Sequence, residues 1–155
     1  METARLDSKY ITSSFQMPYF SNQIRVAYAD TDQMGIVYHS NYLRYFEISR
    51  TEMLRSQGLV YRDLETEGVF LQVVHCELDF HHPAHYDDLL EVRSVISQLG
   101  KASLVISSEV WHDGNLLVTG RVKLAAVARN TGRIAPLTAR LTAAIQQYLE
   151  TPMPE

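Results

Sequence analysis

The stretch Arg25–Gly58, RVAYADTDQMGIVYHSNYLRYFEISRTEMLRSQG, decides the fold of this chain. Ile24, Val26 and Tyr28 alternate and share one face of a strand expected over 22–29. Asp30 and Asp32 have the same parity, so an extended chain would aim two carboxylates at the apolar side. Ionised carboxylates are costly to bury without partners, so the strand must end there or open onto something polar. A helix follows, expected over 40–57, with His39 or Ser40 in the N-cap region and Gly58 as its stop. Its start gathers free backbone N–H groups and the positive end of the helix dipole. Carboxylate, bend and helix start in quick succession mark a candidate reaction site.

Within that helix Tyr42, Phe46, Ser49 and Met53 recur at three- and four-residue spacing, with Leu43 and Leu54 beside them. Arg44, Glu47 and Arg55 fall on a more polar side. Glu47–Arg50 and Glu52–Arg55 stand at i,i+3, where a pair contributes only ~0.2–0.5 kcal/mol. An apolar face this wide and aromatic suits a helix packed against a sheet rather than lying on a surface.

Downstream the period changes from helical to two. Residues 59–67 read as a connecting turn or a short helix, and a strand is expected from Gly68 to about His82, bounded by Pro83. LLEVRSVISQL (89–99) and ASLVISSEVW (102–111) alternate as strands about a turn at Gly100–Lys101. Asp113–Gly114 carries the signal of a tight hairpin. LLVTGRVKLAAVAR (116–129) follows, with Val118, Gly120, Val122, Leu124 and Ala126 on one face. Pro136 opens a last amphipathic segment, LTARLTAAIQQYL (137–149), read as a C-terminal helix. Strand, long helix, four strands in meander order and a short helix make an α+β chain with a mostly antiparallel sheet. Residues 1–21 hold no sustained period and are expected to be an extension, partly ordered at best. Its aromatic residues Phe15, Tyr19 and Phe20 are candidates for docking on the domain or on a second subunit.

With 155 residues, one domain of about 22–150 is expected, large enough to bury a core without staples. A net charge of -4 with no Lys/Arg run argues against a nucleic-acid partner. The single cysteine, Cys76, excludes an intrachain disulfide framework. No apolar run approaches the ~18 residues of a membrane span. Glu2 and Asp7, without an apolar segment behind them, are unlike a signal peptide, so the expected compartment is the cytoplasm.

Asp30 and Asp32 are the candidate nucleophiles or bases, set against the alternative that either one merely holds a turn. His39 is a candidate through its imidazole or through its backbone position at the helix start. His75, Cys76, His81, His82 and His85 invite a zinc reading. Yet His75 and His81 stand about 20 Å apart along a strand at ~3.3 Å per residue. Their spacing matches no standard site, and no metal is expected. A Gly-x-Ser-x-Gly elbow and a Gly-rich phosphate loop are both absent.

YADTDQMGIVYHSNYLRYFEISRTEML (28–54) resembles the signature of hotdog-fold acyl-CoA thioesterases of the 4-hydroxybenzoyl-CoA thioesterase and Tol-Pal-associated type. Asp30, Asp32, Gly35, Val37 and Tyr42 stand at the family's motif positions. A second segment, LDFHHPAHYDDLLEV (78–92), resembles the family's downstream motif through Phe80, Pro83, Ala84, Tyr86, Asp87, Asp88 and Leu89. The resemblance implies a hotdog: a five-stranded antiparallel sheet wrapped round one long central helix. It implies homodimers that join their sheets, often paired into tetramers, with active sites at subunit interfaces. It breaks the tie between the aspartates, assigning the catalytic carboxylate to Asp32, and it assigns the N–H that polarises the thioester carbonyl to His39. The implied substrate is an acyl-CoA or aroyl-CoA, with no cofactor. Arg93, Lys101, Arg121, Lys123, Arg129 and Arg133 are the cations available to its nucleotide end, most of them read as solvated charges. The alternatives are a non-catalytic hotdog that carries an acyl group, and a hotdog dehydratase, whose His-Phe-Pro motif is lacking.

Overall fold

The structure is a computed structural model and describes residues 13–16 and 18–150. The remaining residues of the expected N-terminal extension, and the TPMPE tail, lie outside the described part. Strands β1 (Phe20–Arg25), β2 (Val69–Phe80), β3 (Leu89–Leu99), β4 (Ser103–His112) and β5 (Asn115–Ala128) form one antiparallel sheet in the order β1-β3-β4-β5-β2. Helix α1 (Asn41–Ser56) lies in its curl. A short α2 (Tyr61–Thr66) leads into β2, and α3 (Ala139–Ile145) closes the far end with a 3-10 turn over Gln146–Tyr148. This is the α+β hotdog that the motifs imply.

The helix is held by the stripe of Tyr42, Phe46, Ser49 and Met53, joined by Leu54 and by Tyr45, which the helical spacing had not singled out. Opposite them stand Leu90, Val92 and Ile96 of β3, Leu104, Ile106 and Val110 of β4, and Val118, Val122 and Leu124 of β5. Phe46 presses onto Gly120, where an added Cβ would come 2.5 Å from Phe46 Cε2 and 2.9 Å from Cζ. The missing side chain is what lets helix and sheet approach this closely, since overfilling a packed core costs ~1–3 kcal/mol.

Three expectations are corrected. The first strand spans Phe20–Arg25, not 22–29. Beyond Val26 the chain coils into a 3-10 turn over Tyr28–Asp30, leaving Tyr28 79% exposed. The turn forms because the Asp30 carboxylate accepts the Ala27 N–H at 3.2 Å. The meander expected for the last four strands holds only for β3-β4-β5. Asp113–Gly114 and the Gly100–Lys101 turn join those strands directly, whereas residues 81–88, with Pro83, carry the chain from β2 at one edge of the sheet over to β3. The C-terminal helix is shorter than its amphipathic segment: Thr138 caps it by accepting the Leu141 N–H at 3.2 Å, and it ends at Ile145.

The described part of the N-terminal extension docks on the outer face of the sheet. Glu109, 1% exposed, accepts the Ser13 hydroxyl at 2.7 Å, the Ser14 N–H at 3.0 Å and the Trp111 indole N–H at 2.8 Å. Tyr19 lies 5.4 Å from the Arg93 guanidinium, whereas Phe20, the first residue of β1, turns to the core side and meets Tyr148 edge-on at 5.8 Å. The cost of burying a carboxyl group here is offset by these donors.

Candidate active site

Between β1 and α1 the chain makes a tight, doubly anchored loop. The Asp32 N–H donates to the Ile36 carbonyl and the Gly35 N–H to the Asp32 carbonyl, both at 2.9 Å, closing a turn that requires φ of +80° at Gly35. Thr31 and Val37 pair across it. That conformation is open to glycine at little cost and strained for other residues. On one side the loop is tied to the second motif, with the Val37 N–H donating to the Ala84 carbonyl at 2.9 Å and Ile36 bridging to His85. On the other side it is tied to α1 through Asp30.

The two aspartates, equivalent by parity, have separate jobs. Asp30 is buried and works as an anchor. Its carboxylate accepts the Tyr45 hydroxyl at 2.9 Å, the Arg44 guanidinium and the Ala27 N–H. Its carbonyl accepts the Tyr38 N–H at 2.9 Å and the Asn41 side-chain amide at 2.8 Å. Burial, and then the Asp30 carboxylate that its hydroxyl faces, push the Tyr45 phenol well above its ordinary range. It therefore stays protonated and donating. Among the described residues Asp32 accepts only the Met34 N–H, through Oδ1 at 2.9 Å. Among the described residues nothing donates to Oδ2.

Asp32 and His39 line one cavity of about 390 Å³, with Met34, Ile36, Val37, Tyr42, Phe80, His81, His82 and Pro83 as its other walls. The His39 N–H, at the turn that starts α1, meets no acceptor among the described residues. Its imidazole tilts against the Tyr38 ring at 4.3 Å instead. The cavity is thus lined by a residue with a carboxylate, by a residue whose backbone N–H is open beside a helix start, and by a mostly apolar wall. Such a set suits a reaction in which a carbonyl oxygen gains negative charge.

The walls from β2 and its exit were not foreseen in detail. Phe80, His81, His82 and Pro83 reach the cavity from the far end of β2, and Phe80 meets Tyr42 edge-on at 5.8 Å. The remaining histidines of that region turn elsewhere, His75 toward Glu77 at 3.9 Å and His85 toward Asp88 at 3.9 Å. Of the available cations, Arg93 is forked onto Glu91 at 2.8 and 3.0 Å, and Arg121 pairs with Glu77 at 3.2 Å.

Comparison with known proteins agrees with this architecture. Residues 26–145 match the family model of the thioesterase-like superfamily. The acyl-CoA thioester hydrolase YbgC of Escherichia coli O6:H1 is 35% identical over 107 residues, 69% of this chain and 76% of that protein. A Bacillus subtilis relative, YneP, is 37% identical over 90 residues, 58% of this chain and 65% of its own length. Among solved structures, a 1,4-dihydroxy-2-naphthoyl-CoA thioesterase from Synechocystis superposes with a TM-score of 0.78 at 27% identity, over 83% of this chain and 96% of that one. With the family model covering most of its length, this chain belongs to the thioesterase-like superfamily.

Proposed function

We propose that the chain hydrolyses the thioester of an acyl-CoA or aroyl-CoA to a free acid and coenzyme A, with Asp32 and the His39 N–H as its reacting groups. The observation that carries this reading is that Asp32, with one carboxylate oxygen that no described residue donates to, and His39, whose N–H meets no acceptor among the described residues, line the same cavity. The thioester carbonyl would point its oxygen at the His39 N–H and at the positive end of α1, which stabilise the developing oxyanion. Asp32 then attacks the carbonyl carbon to give a mixed anhydride that water cleaves, or removes a proton from an attacking water. Both routes expel a thiolate, which needs little protonation to leave. The names of the relatives support the same chemistry.

The reaction belongs to the domain of residues 22–150, working in the cytoplasm as a homo-oligomer, a dimer or tetramer with its sites at subunit interfaces. The free edge of β2 supports this reading. Among the described residues β2 pairs only with β5, and Val73 and Val74 beside that edge are 46% and 52% exposed. An exposed apolar edge strand is a template for pairing with a second copy.

Release of free thiol across a panel of aliphatic and aromatic CoA thioesters tests the proposal, and at least one member is expected to be turned over. Should no thiol appear while an acyl-CoA still protects the chain against thermal unfolding, the domain is a binding module instead. His39→Ala should keep turnover of the best substrate within about threefold, because the donor invoked is the backbone N–H. A hundredfold loss in that variant would move the chemistry to the imidazole.

A further inference from the structure

The second sequence motif, 80–89, reaches the cavity through Phe80 and Pro83, and its paired aspartates stand outside it. They differ in what they hold. Asp87 takes the left-handed conformation, with φ of +69°, and its exposed carboxylate stands 3.9 Å from Arg25 Nε. The Asp88 side chain is only 22% exposed, and both of its oxygens are engaged. Oδ2 accepts the His85 N–H at 2.8 Å, while the Asp88 N–H returns to the His85 carbonyl at 3.2 Å, closing the turn 85–88 on itself. Oδ1 lies 3.5 Å from His112 Nε2 at the end of β4, an ion pair whenever the imidazole is charged. His112 is fixed in turn through Nδ1, which donates to the Leu89 carbonyl at 3.2 Å, since a carbonyl only accepts.

The loop that carries Asp32 hangs on this turn. The buried Ala84 gives its carbonyl to the Val37 N–H at 2.9 Å, and Ile36 bridges to His85. The Ile36 carbonyl accepts the Asp32 N–H at 2.9 Å, and Val37 stands two residues before His39. On its other side the turn is tied to Val26, which accepts the Asp87 N–H at 3.0 Å and donates to the Asp88 carbonyl at 2.9 Å. Short contacts therefore run without a break from His112 through Asp88 and the 84–85 backbone to the neighbours of Asp32 and His39. The other charged groups around the polar hollow beside Asp88 face one another. Arg25 pairs with Asp87 and Arg93 with Glu91, and Asp113 lies 3.3 Å from His112 Nε2. Among them, Asp88 is the one bonded to the backbone of His85.

We infer that Asp88 is a positioning residue for the hydrolysis proposed above: its carboxylate, backed by His112, fixes the 84–85 backbone and with it the placement of Asp32 and of the His39 N–H. The assignment rests on that reading of the cavity, and its first test needs no turnover. Misplacing reacting groups by about 1 Å can cost up to ~10²-fold in rate, so an anchor outside the cavity matters to the chemistry.

Hydrogen exchange of the full chain, read by mass spectrometry over 30–39, is that first test. Asp88→Ala should raise exchange there about tenfold or more, while segments of α1 and β4 keep wild-type rates. In thiol release from the best CoA thioester, Asp88→Ala should lower kcat about tenfold and move KM by less than about twofold. Asp88→Asn keeps an oxygen for the His85 N–H, and His112→Gln keeps the whole carboxylate. Each loses only the contact between the two side chains, so each should lower kcat about threefold, and combining them should cost no more than either alone. These two variants and their combination decide the matter if Asp88→Ala does not fold. Wild-type exchange over 30–39 in Asp88→Ala overturns the assignment, as does a rise spread evenly along the chain, which marks a general loss of stability. So does a KM that rises with kcat unchanged, or losses that multiply in the double variant. Should no thioester be turned over, the hydrolysis reading fails by itself, and the exchange pattern still decides whether Asp88 holds the Asp32 loop.

Discussion

Asp32→Asn is expected to lower turnover of the best CoA thioester by ~10²-fold or more, the scale of losing a nucleophile or general base. The unfolding temperature should stay close to that of the wild type. An asparagine is nearly the same shape, and its side-chain oxygen still accepts the Met34 N–H that Asp32 Oδ1 accepts at 2.9 Å. The turn through Gly35 therefore survives, and so does the cavity. KM should move far less than kcat, because the carboxylate acts on the carbonyl carbon and the acyl group rests on the apolar wall of Met34, Ile36, Tyr42 and Phe80. Thiol release read beside thermal unfolding separates the two effects. A variant that folds normally and keeps full rate would remove Asp32 from the chemistry and leave it as a turn former.

Much of this architecture is legible from local pattern. Residues 89–99 alternate so regularly that β3 has the bounds expected of it, and the helix over 41–56 is marked by its apolar stripe and by Gly58. The place of β2 was not legible. Pairing between strands far apart in sequence depends on the whole assembly, and β2, exposed along most of its length, shows no one-sided burial to betray its neighbour. At the site, the position of Asp32 was readable, and the role of Asp30 was not. Parity placed both carboxylates on one strand face, a relation that vanished when the chain coiled at Tyr28–Asp30. The missing signal lay on α1, where Arg44 and Tyr45 are the partners a buried carboxylate requires. Tyr45 reads as one more aromatic of the helix until its hydroxyl is followed to Asp30.

That arrangement makes Asp30 the second position of large effect. Asp30→Ala is expected to destabilise the fold by ~2–4 kcal/mol and lower its unfolding temperature by roughly 5–15 °C. The cost does not come mainly from the ion pair, since the Arg44 side chain is 48% exposed and water replaces most of what it loses. It comes from Tyr45, fully buried, whose hydroxyl is left without its acceptor, and from the Ala27 N–H, which loses the carboxylate that holds the 3-10 turn. Asp30→Asn keeps the shape and one acceptor and should lose about half as much. Tyr45→Phe removes the orphaned hydroxyl, so combining it with Asp30→Ala should cost less than the two single effects added together. Activity should fall in Asp30→Ala as well, because the loop carrying Asp32 is tied to α1 through Asp30. Stability and turnover decline together there, whereas Asp32→Asn affects turnover alone. An Asp30→Ala protein that unfolds at the wild-type temperature would show that the loop is held by its other anchor, the Val37 N–H on the Ala84 carbonyl at 2.9 Å.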